Sequence, residues 1–291
     1  MAAEPSLPRS ARVAVWDWYR SRARAYAWRR GRANGYRTLV SELMLQQTQA
    51  ARVEPAFAAF MRRFPTVTSL ARASRADVLR AWAGLGYNRR AVHLHAAAQA
   101  VVRDHRGRVP TDVQALRSLP GVGPYTAAAV ASIAGGARVA AIDVNVRRVV
   151  ARAGFGDAAP PRSSVDAAAE RWVDRDDPGG WNQALMDVGR EHCRAVPRCD
   201  GCPLIRVCRW RRTHPAGVTV ERGAGRQGRF AGSTREVRGR VVDVLRARRS
   251  AGPATLALVT GFDAGRVREA LDGLVRDGVV ERSGRSYRLP A

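Results

Sequence analysis

The stretch Leu119-Pro-Gly-Val-Gly-Pro-Tyr-Thr-Ala127 lies between two segments of helical spacing and decides how the chain is read. Gly121 and Gly123 let the backbone turn with its N–H groups exposed, and Pro124 has the fixed φ that suits a first helical turn. The product is a cluster of backbone donors at a helix N-terminus, a place that suits one phosphate. Taken alone, Pro-Gly-Val-Gly is also a plain interhelical turn, so its surroundings decide.

Those surroundings are helical. Ser74–Ala83 follows Pro65, Arg89–Asp104 follows the break at Gly84–Gly86, and Asp112–Ser118 follows Pro110. From Ser10 to about Trp210 the pattern predicts an all-α body of roughly ten helices. Residues 213–233, rich in Arg, Gly, Thr and Pro, are expected to be a linker. Beyond it, Arg235–Arg248 places Val237, Val241, Val244 and Leu245 on one face, Pro253–Thr260 is a short helix, and Asp263 can cap a third. Val279–Glu281 and Tyr287–Leu289 flank a Ser283-Gly284 turn and predict a hairpin. Residues 234–291 therefore read as winged-helix-like, either docking on DNA or protein or only packing.

Charge points to a partner. Fifty Lys+Arg, every one an arginine, face twenty-five Asp+Glu in 291 residues, a net charge of +25. Such an excess repels itself and suits a polyanion, nucleic acid first and an anionic membrane surface second. GC-rich coding inflates Arg and Ala, but does not by itself remove the matching acids. No stretch approaches the ~20 apolar residues of a membrane helix, because Ala127–Ala137 is interrupted by Ser132 and two glycines. The N-terminus has arginines but no apolar core of a secretory signal. A cytoplasmic chain without membrane contact is expected, its cysteines reduced unless they hold a metal.

All four cysteines fall in one loop, Cys193-x5-Cys199-x2-Cys202-x5-Cys208. Thiolates two residues apart reach neighbouring ligand positions, and the longer gaps wrap the chain around the others. A [4Fe–4S] cluster is the first reading. Structural zinc is the alternative, although such sites commonly pair two CxxC units and this loop has one. The remaining histidines carry no signal: His93 and His95 read as helix-surface residues, Trp82 and Trp181 as core.

Taken together, several ordered motifs resemble the helix-hairpin-helix DNA glycosylases, the superfamily of endonuclease III and the MutY-type adenine glycosylases. They are Trp28-Arg29, Ser41-Glu-Leu-Met-Leu-Gln-Gln-Thr48, Leu85-Gly-Tyr87, the hairpin, Asp143-Val-Asn-Val146 and the cysteine loop. Gln46-Gln47-Thr48 and Asn145 are similar to the MutY branch. The resemblance covers residues 10–212 and implies a mainly α fold of two helical subdomains, including the cluster loop 193–208. It implies a monofunctional glycosylase of base excision repair, hydrolysing the N-glycosidic bond of adenine mispaired with 8-oxoguanine or guanine. The implied partner is double-stranded DNA carrying that lesion, met by a monomer at a bacterial nucleoid.

The same resemblance assigns roles. Cleaving this bond requires protonating the leaving base and stabilising an oxocarbenium-like sugar, a task for two carboxylates. Glu42, in the apolar stretch Leu39–Met44, would protonate adenine N7 and activate water, and Asp143 would stabilise the sugar cation. Tyr125 and Asn145 would orient them. Read without the family, Glu42 is a helix-surface acid and Asp143 a helix N-cap. Gln46, Gln47 and Tyr87 would fill the gap left by the extruded base, Gly121 and Gly123 would hold phosphate, and Arg24 and Arg29 would touch the flipped nucleotide. The cysteines Cys193, Cys199, Cys202 and Cys208 would carry the cluster, holding Arg194, Arg198 and Arg206 toward the DNA backbone. Tyr125 stands where endonuclease III has its lysine, and with no lysine in the chain a Schiff-base lyase step is excluded.

Two features depart from the family. The first cysteine gap is x5 where x6 is usual, and residues 234–291 are too short for the Nudix-like domain that senses 8-oxoguanine. Two other functions stay open: a monofunctional T(U):G mismatch glycosylase, and a non-enzymatic cluster-bearing DNA-binding regulator.

Overall fold

The structure, a computed structural model, describes residues 5–22, 26–31, 33–157, 159–214 and 228–291. Its helices in chain order are α1 (Arg9–Arg22), α2 (Gly35–Leu45), α3 (Ala50–Arg63), α4 (Val67–Arg72) and α5 (Arg75–Ala81). Next come α6 (Arg89–Asp104), α7 (Val113–Arg117), α8 (Pro124–Gly135), α9 (Val144–Val150) and α10 (Arg162–Trp172). The last are α11 (Pro178–Glu191), α12 (Arg209–Thr213), α13 (Thr234–Ala247), α14 (Pro253–Thr260) and α15 (Ala264–Arg276). Strands β1 (Glu281–Ser283) and β2 (Ser286–Arg288) close the chain.

Local chemistry sets most of these boundaries. Ser74, Asp112, Asp177 and Asp263 each accept a backbone N–H of the turn they open, and Thr66 with Ser69 forms a capping box on α4. Pro124, Pro178 and Pro253 stand in the first turns of α8, α11 and α14. The segment expected at Arg89–Asp104 is helix α6 end to end. The expected C-terminal order of three helices and a hairpin is the observed one, with the first strand displaced two residues and the second one residue toward the turn. Gly284, at φ 60°, forms with Arg285 a two-residue loop, so that Ser283 faces Ser286.

The chain divides into two compact units that interleave in sequence. The first takes residues 1–39, 110–118 and 122–224, the second 40–109, 119–121 and 225–291. In the first, α9, α10 and α11 close on Val146, Val150, Val165, Trp172, Trp181 and Leu185. The π-helical turn Ala151–Phe155 continues α9, and Trp172 Nε1 donates to Pro5 O at 2.9 Å.

In the second unit α6 packs against α4 and α5, with Phe60, Leu79, Trp82 and Leu94 fully buried. Being covered by two helices, α6 buries more than one face, and His95 is 3% exposed rather than on the surface as the sequence suggested. Burial pushes its imidazole pKa down, which favours the neutral ring. The C-terminal helices belong to this same unit. Ala76 N donates to Pro290 O at 2.8 Å, and Arg246 donates to Leu79 O at 3.0 Å and Asn88 Oδ1 at 2.8 Å. Most of the expected linker, residues 215–227, lies outside the described residues. No helix among the described residues is long and apolar enough to cross a membrane.

Candidate functional site

In the first unit an extended segment delivers Asp143 to the start of α9. Ala140 N donates to Glu170 Oε2 and Ala141 N to Asn182 Oδ1, both at 3.0 Å. Asn182 is 1% exposed, and its amide also donates to Ser132 Oγ and Val139 O. Asp143 then caps α9. It accepts Asn145 N at 2.9 Å and Val146 N at 2.7 Å on one oxygen, and Asn145 Nδ2 at 2.7 Å on the other. The N-cap expected of Asp143 from the sequence is the one observed. Burial pushes its pKa above the usual carboxylate range, against the pull of those three hydrogen bonds and the Arg148 charge.

Asn145 is itself held. Arg148 Nη2 donates to Asn145 Oδ1 at 2.8 Å and to Gly189 O at 3.0 Å, and Arg148 Nε donates to Cys193 O. The side-chain amide therefore turns its NH2 toward Asp143. Tyr125, second residue of α8, is half-buried against Ala128, Ala129 and Ala141, its hydroxyl 3.7 Å from Met186 Sδ. Arg29 gives both outer nitrogens to buried Asp187, at 2.7 and 3.2 Å, and lies over the rings of Tyr19 and Tyr26. Arg24 lies outside the described residues.

In the second unit Glu42 sits on α2 at 6% exposure, among Val40, Leu43 and Met44 that are at most 1% exposed. Beyond the end of α2 the chain reaches Gln46 and Gln47. Gln47 has φ 55°, Tyr87 has φ 45°, and Arg106 is the one other non-glycine in the left-handed region among the described residues. Such a residue costs on the order of 1–3 kcal/mol, and strain of this kind gathers at functional sites.

One side chain holds both strained loops. Arg90, 8% exposed, donates to the carbonyls of Leu43 (2.8 Å) and Met44 (2.9 Å), to Gln46 O, and to Leu85 O and Gly86 O (3.1 Å each). It also donates to Thr48 Oγ1 at 3.0 Å. A cation among the last carbonyls of α2 answers the negative helix end. Burial lowers its pKa to about 10, which still leaves it charged at neutral pH. Arg90 was not legible in the sequence, where it is one arginine among fifty. Its importance comes from contacts over forty residues away.

At the hairpin, Gly121 has φ +76°, and a Cβ there would stand 2.5 Å from His93 Cβ, so no side chain fits. Gly123 caps α8, and a Cβ on it would meet nothing within 4 Å. Its surroundings are open to an approaching ligand.

The four cysteines are all half-buried. Cys193 and Cys208 pack on the core of the first unit, and burial raises the pKa of Cys193 and Cys208 and pushes Cys202 up to about 12. Cys202 is further raised by the nearness of Cys193, Cys208 and Cys199, which places the four thiols within one electrostatic neighbourhood. Arg152, 3% exposed, lies over the loop, donating to Cys193 Sγ at 3.7 Å and to Ala195 O at 3.1 Å. Its Nε is buried without a partner among the described residues. A thiol donor set beside a buried cation fits an anionic iron–sulfur group. Among the described residues, no three or more His, Cys, Asp or Glu are gathered into a site ready for a single metal ion. Arg194, Arg198 and Arg206 of the loop are exposed.

Residues 40–175 match the family model described as HhH-GPD superfamily base excision DNA repair protein. Over 279 residues the chain is 45% identical to the adenine DNA glycosylase of Mycolicibacterium smegmatis, covering 93% of this chain and 92% of that protein. The chain belongs to the adenine DNA glycosylases of the helix-hairpin-helix superfamily. The Mycobacterium tuberculosis adenine DNA glycosylase is 44% identical over 274 residues, 91% of this chain and 88% of its own. A solved structure of a thermostable thymine-DNA glycosylase superposes with a TM-score of 0.63 at 26% identity, covering 71% of this chain and 98% of that one. The glycosylase family match at 40–175 takes in Glu42, Gln46, Gln47, Tyr87, the hairpin, Asp143 and Asn145. The identity with the mycobacterial glycosylases is spread over nine-tenths of the chain and so runs into the C-terminal helices.

Proposed function

We propose that this glycosylase hydrolyses the bond between adenine and its sugar where adenine is mispaired with 8-oxoguanine or guanine in duplex DNA, and leaves an abasic site. The observation that carries the reading is the constrained Asp143, a carboxylate fixed by three hydrogen bonds at a helix N-terminus inside the family match. In this reading Glu42 donates its proton to adenine N7 and then activates water. Asp143 carries the negative charge that the developing sugar cation requires, and Asn145 and Tyr125 hold it in place. Gln46, Gln47 and Tyr87 fill the space left by the extruded base. The open amides at Gly121 and Gly123 hold a phosphate, and the +25 net charge draws the chain to DNA.

The glycosylase domain is assigned to residues 10–212, the linker to 213–233 and a winged-helix-like module to 234–291. Cys193, Cys199, Cys202 and Cys208 are assigned to a [4Fe–4S] cluster, which supplies structure to the loop when bound. The chain is taken to act as a monomer in the cytoplasm, on the nucleoid. Tyr125 in place of a lysine, in a chain without lysine, leaves hydrolysis as the only step.

A second reading, removal of T or U opposite G, draws on the likeness to the thymine-DNA glycosylase. The test is incubation with duplexes carrying A opposite 8-oxoguanine, A opposite G, and T opposite G, each followed by alkali. Cleavage of the two adenine duplexes supports the proposal. Cleavage of the T:G duplex alone establishes the second reading, and no cleavage of any leaves a DNA-binding regulator.

A further inference from the structure

We propose that the C-terminal helices meet DNA through the N-terminal end of α13, which walls the cleft beside Gln47 and Tyr87 and binds the strand opposite the excised base. This rests on the gap-filling role given above to Gln47 and Tyr87. Side chains that occupy the place of an extruded base lie next to its unpaired partner, so a cleft beside them faces that nucleotide and its phosphates.

The cleft holds about 1030 Å³ and lies wholly within the second unit. Gln47, Tyr87 and Arg52 line it together with Phe230, Arg235 and Arg238. Six arginines and two aspartates line it, so it attracts an anion. The two aspartates are engaged by arginines of the cleft: Asp277 pairs with Arg238 and Arg89, and Asp243 with Arg246. Arg235 instead donates to neutral acceptors, Tyr87 Oη at 3.3 Å and Gly228 O at 2.7 Å. Its charge is thus left for a ligand, and it sets the posture of the Tyr87 ring. Phe230, 60% exposed at the same wall, offers a face for stacking.

The exposed positions of α15 are unlike a DNA-reading surface. Its exposed charged residues are Arg268, Glu269, Asp272 and Arg276, which sum to no net charge toward a phosphate backbone, and half-buried Arg266 lies over Phe262 and donates to Gly232 O. The usual groove-entering helix of a helix-turn-helix is therefore not the one used. The wall is fixed, because Ala76 N bonds Pro290 O and Arg246 bonds Leu79 O and Asn88 Oδ1.

The experiment uses full-length protein and a duplex with A opposite 8-oxoguanine, its affinity measured by fluorescence anisotropy across a salt series. Arg235→Met keeps the side-chain stem and removes the guanidinium. It is expected to weaken binding about tenfold and to lower the slope of log affinity against log salt by about one, with an unchanged melting temperature. Arg268→Met on α15 is expected to keep the wild-type affinity and slope. Wild-type binding by Arg235→Met, a loss confined to Arg268→Met, or a lowered melting temperature that accounts for the loss would overturn the inference. A parallel duplex with 2-aminopurine at the target position reports extrusion by its fluorescence. If Gln47→Ala leaves that signal intact, the gap-filling role itself fails. If Gln47→Ala abolishes it while Arg235→Met binds normally, only the role of α13 fails.

Discussion

Asp143 is a carboxylate under opposing pulls. Burial raises its pKa, and the Val146 and Asn145 backbone amides, the Asn145 side chain and the Arg148 charge lower it. The proposed chemistry uses the ionised form, so activity is present above the raised pKa and lost as pH falls through it. Asn145→Ala removes one lowering contact. Single-turnover rates against pH should then show the acid limb displaced to higher pH, and a limb that stays put or moves down contradicts the assignment. Asp143→Asn, which keeps the shape and removes the charge, should slow base release about a thousandfold while the duplex still binds. Arg90 is the other residue whose loss is forecast. Arg90→Met leaves the buried carbonyls of Leu43 and Met44 without the donor they have now, a cost of about 3 kcal/mol. Chemical denaturation should show that loss, and extrusion of a fluorescent base should suffer with it, since Gln47 and Tyr87 lose what holds their strained backbones.

At the scale of elements, α9 and α11 touch closely enough to be sensitive to one methyl group. A Cβ on Gly189 would lie 2.6 Å from Asn145 Cβ and 2.9 Å from its carbonyl oxygen. Gly189→Ala must push α9 aside, and Asn145 with it, for about 1–3 kcal/mol. Melting temperature and rate per folded molecule should both drop; a variant with native values of each contradicts the packing described. Helices such as α6 and α7 were legible in the sequence because their start and stop signals are local: Asp112, Pro110, the glycines at 84–86. The clamps were not. Asn182 holds the segment before Asp143 from forty residues away, and Arg148 reaches Cys193 O across a similar span. Neither has a spacing that could betray it, and arginine is too abundant here for any one to stand out. His95 was misread for a related reason: period alone shows one buried face of α6, not the second helix that covers another.

Across the whole molecule, the candidate site was legible as an ordered set of motifs, whereas the assembly of the units was not. A boundary near residue 212 follows composition, but the C-terminal helices belong to the same compact unit as residues 40–109. Long-range bonds such as Ala76 N to Pro290 O decide that, and no local pattern encodes them. The cysteine loop bears on the molecule as a whole, since metal binding and folding are coupled. Cys202→Ser should lower bound iron and acid-labile sulfide and reduce the melting temperature; an iron-free variant of native stability would speak against a structural cluster. The central claim is adenine hydrolysis without strand cleavage. Its most direct test is a 5′-labelled duplex with A opposite 8-oxoguanine, incubated with the protein and divided into samples with and without hot alkali. The account predicts a nick at the adenine only in the alkali-treated sample. A nick without alkali, or an intact strand in both, would contradict it.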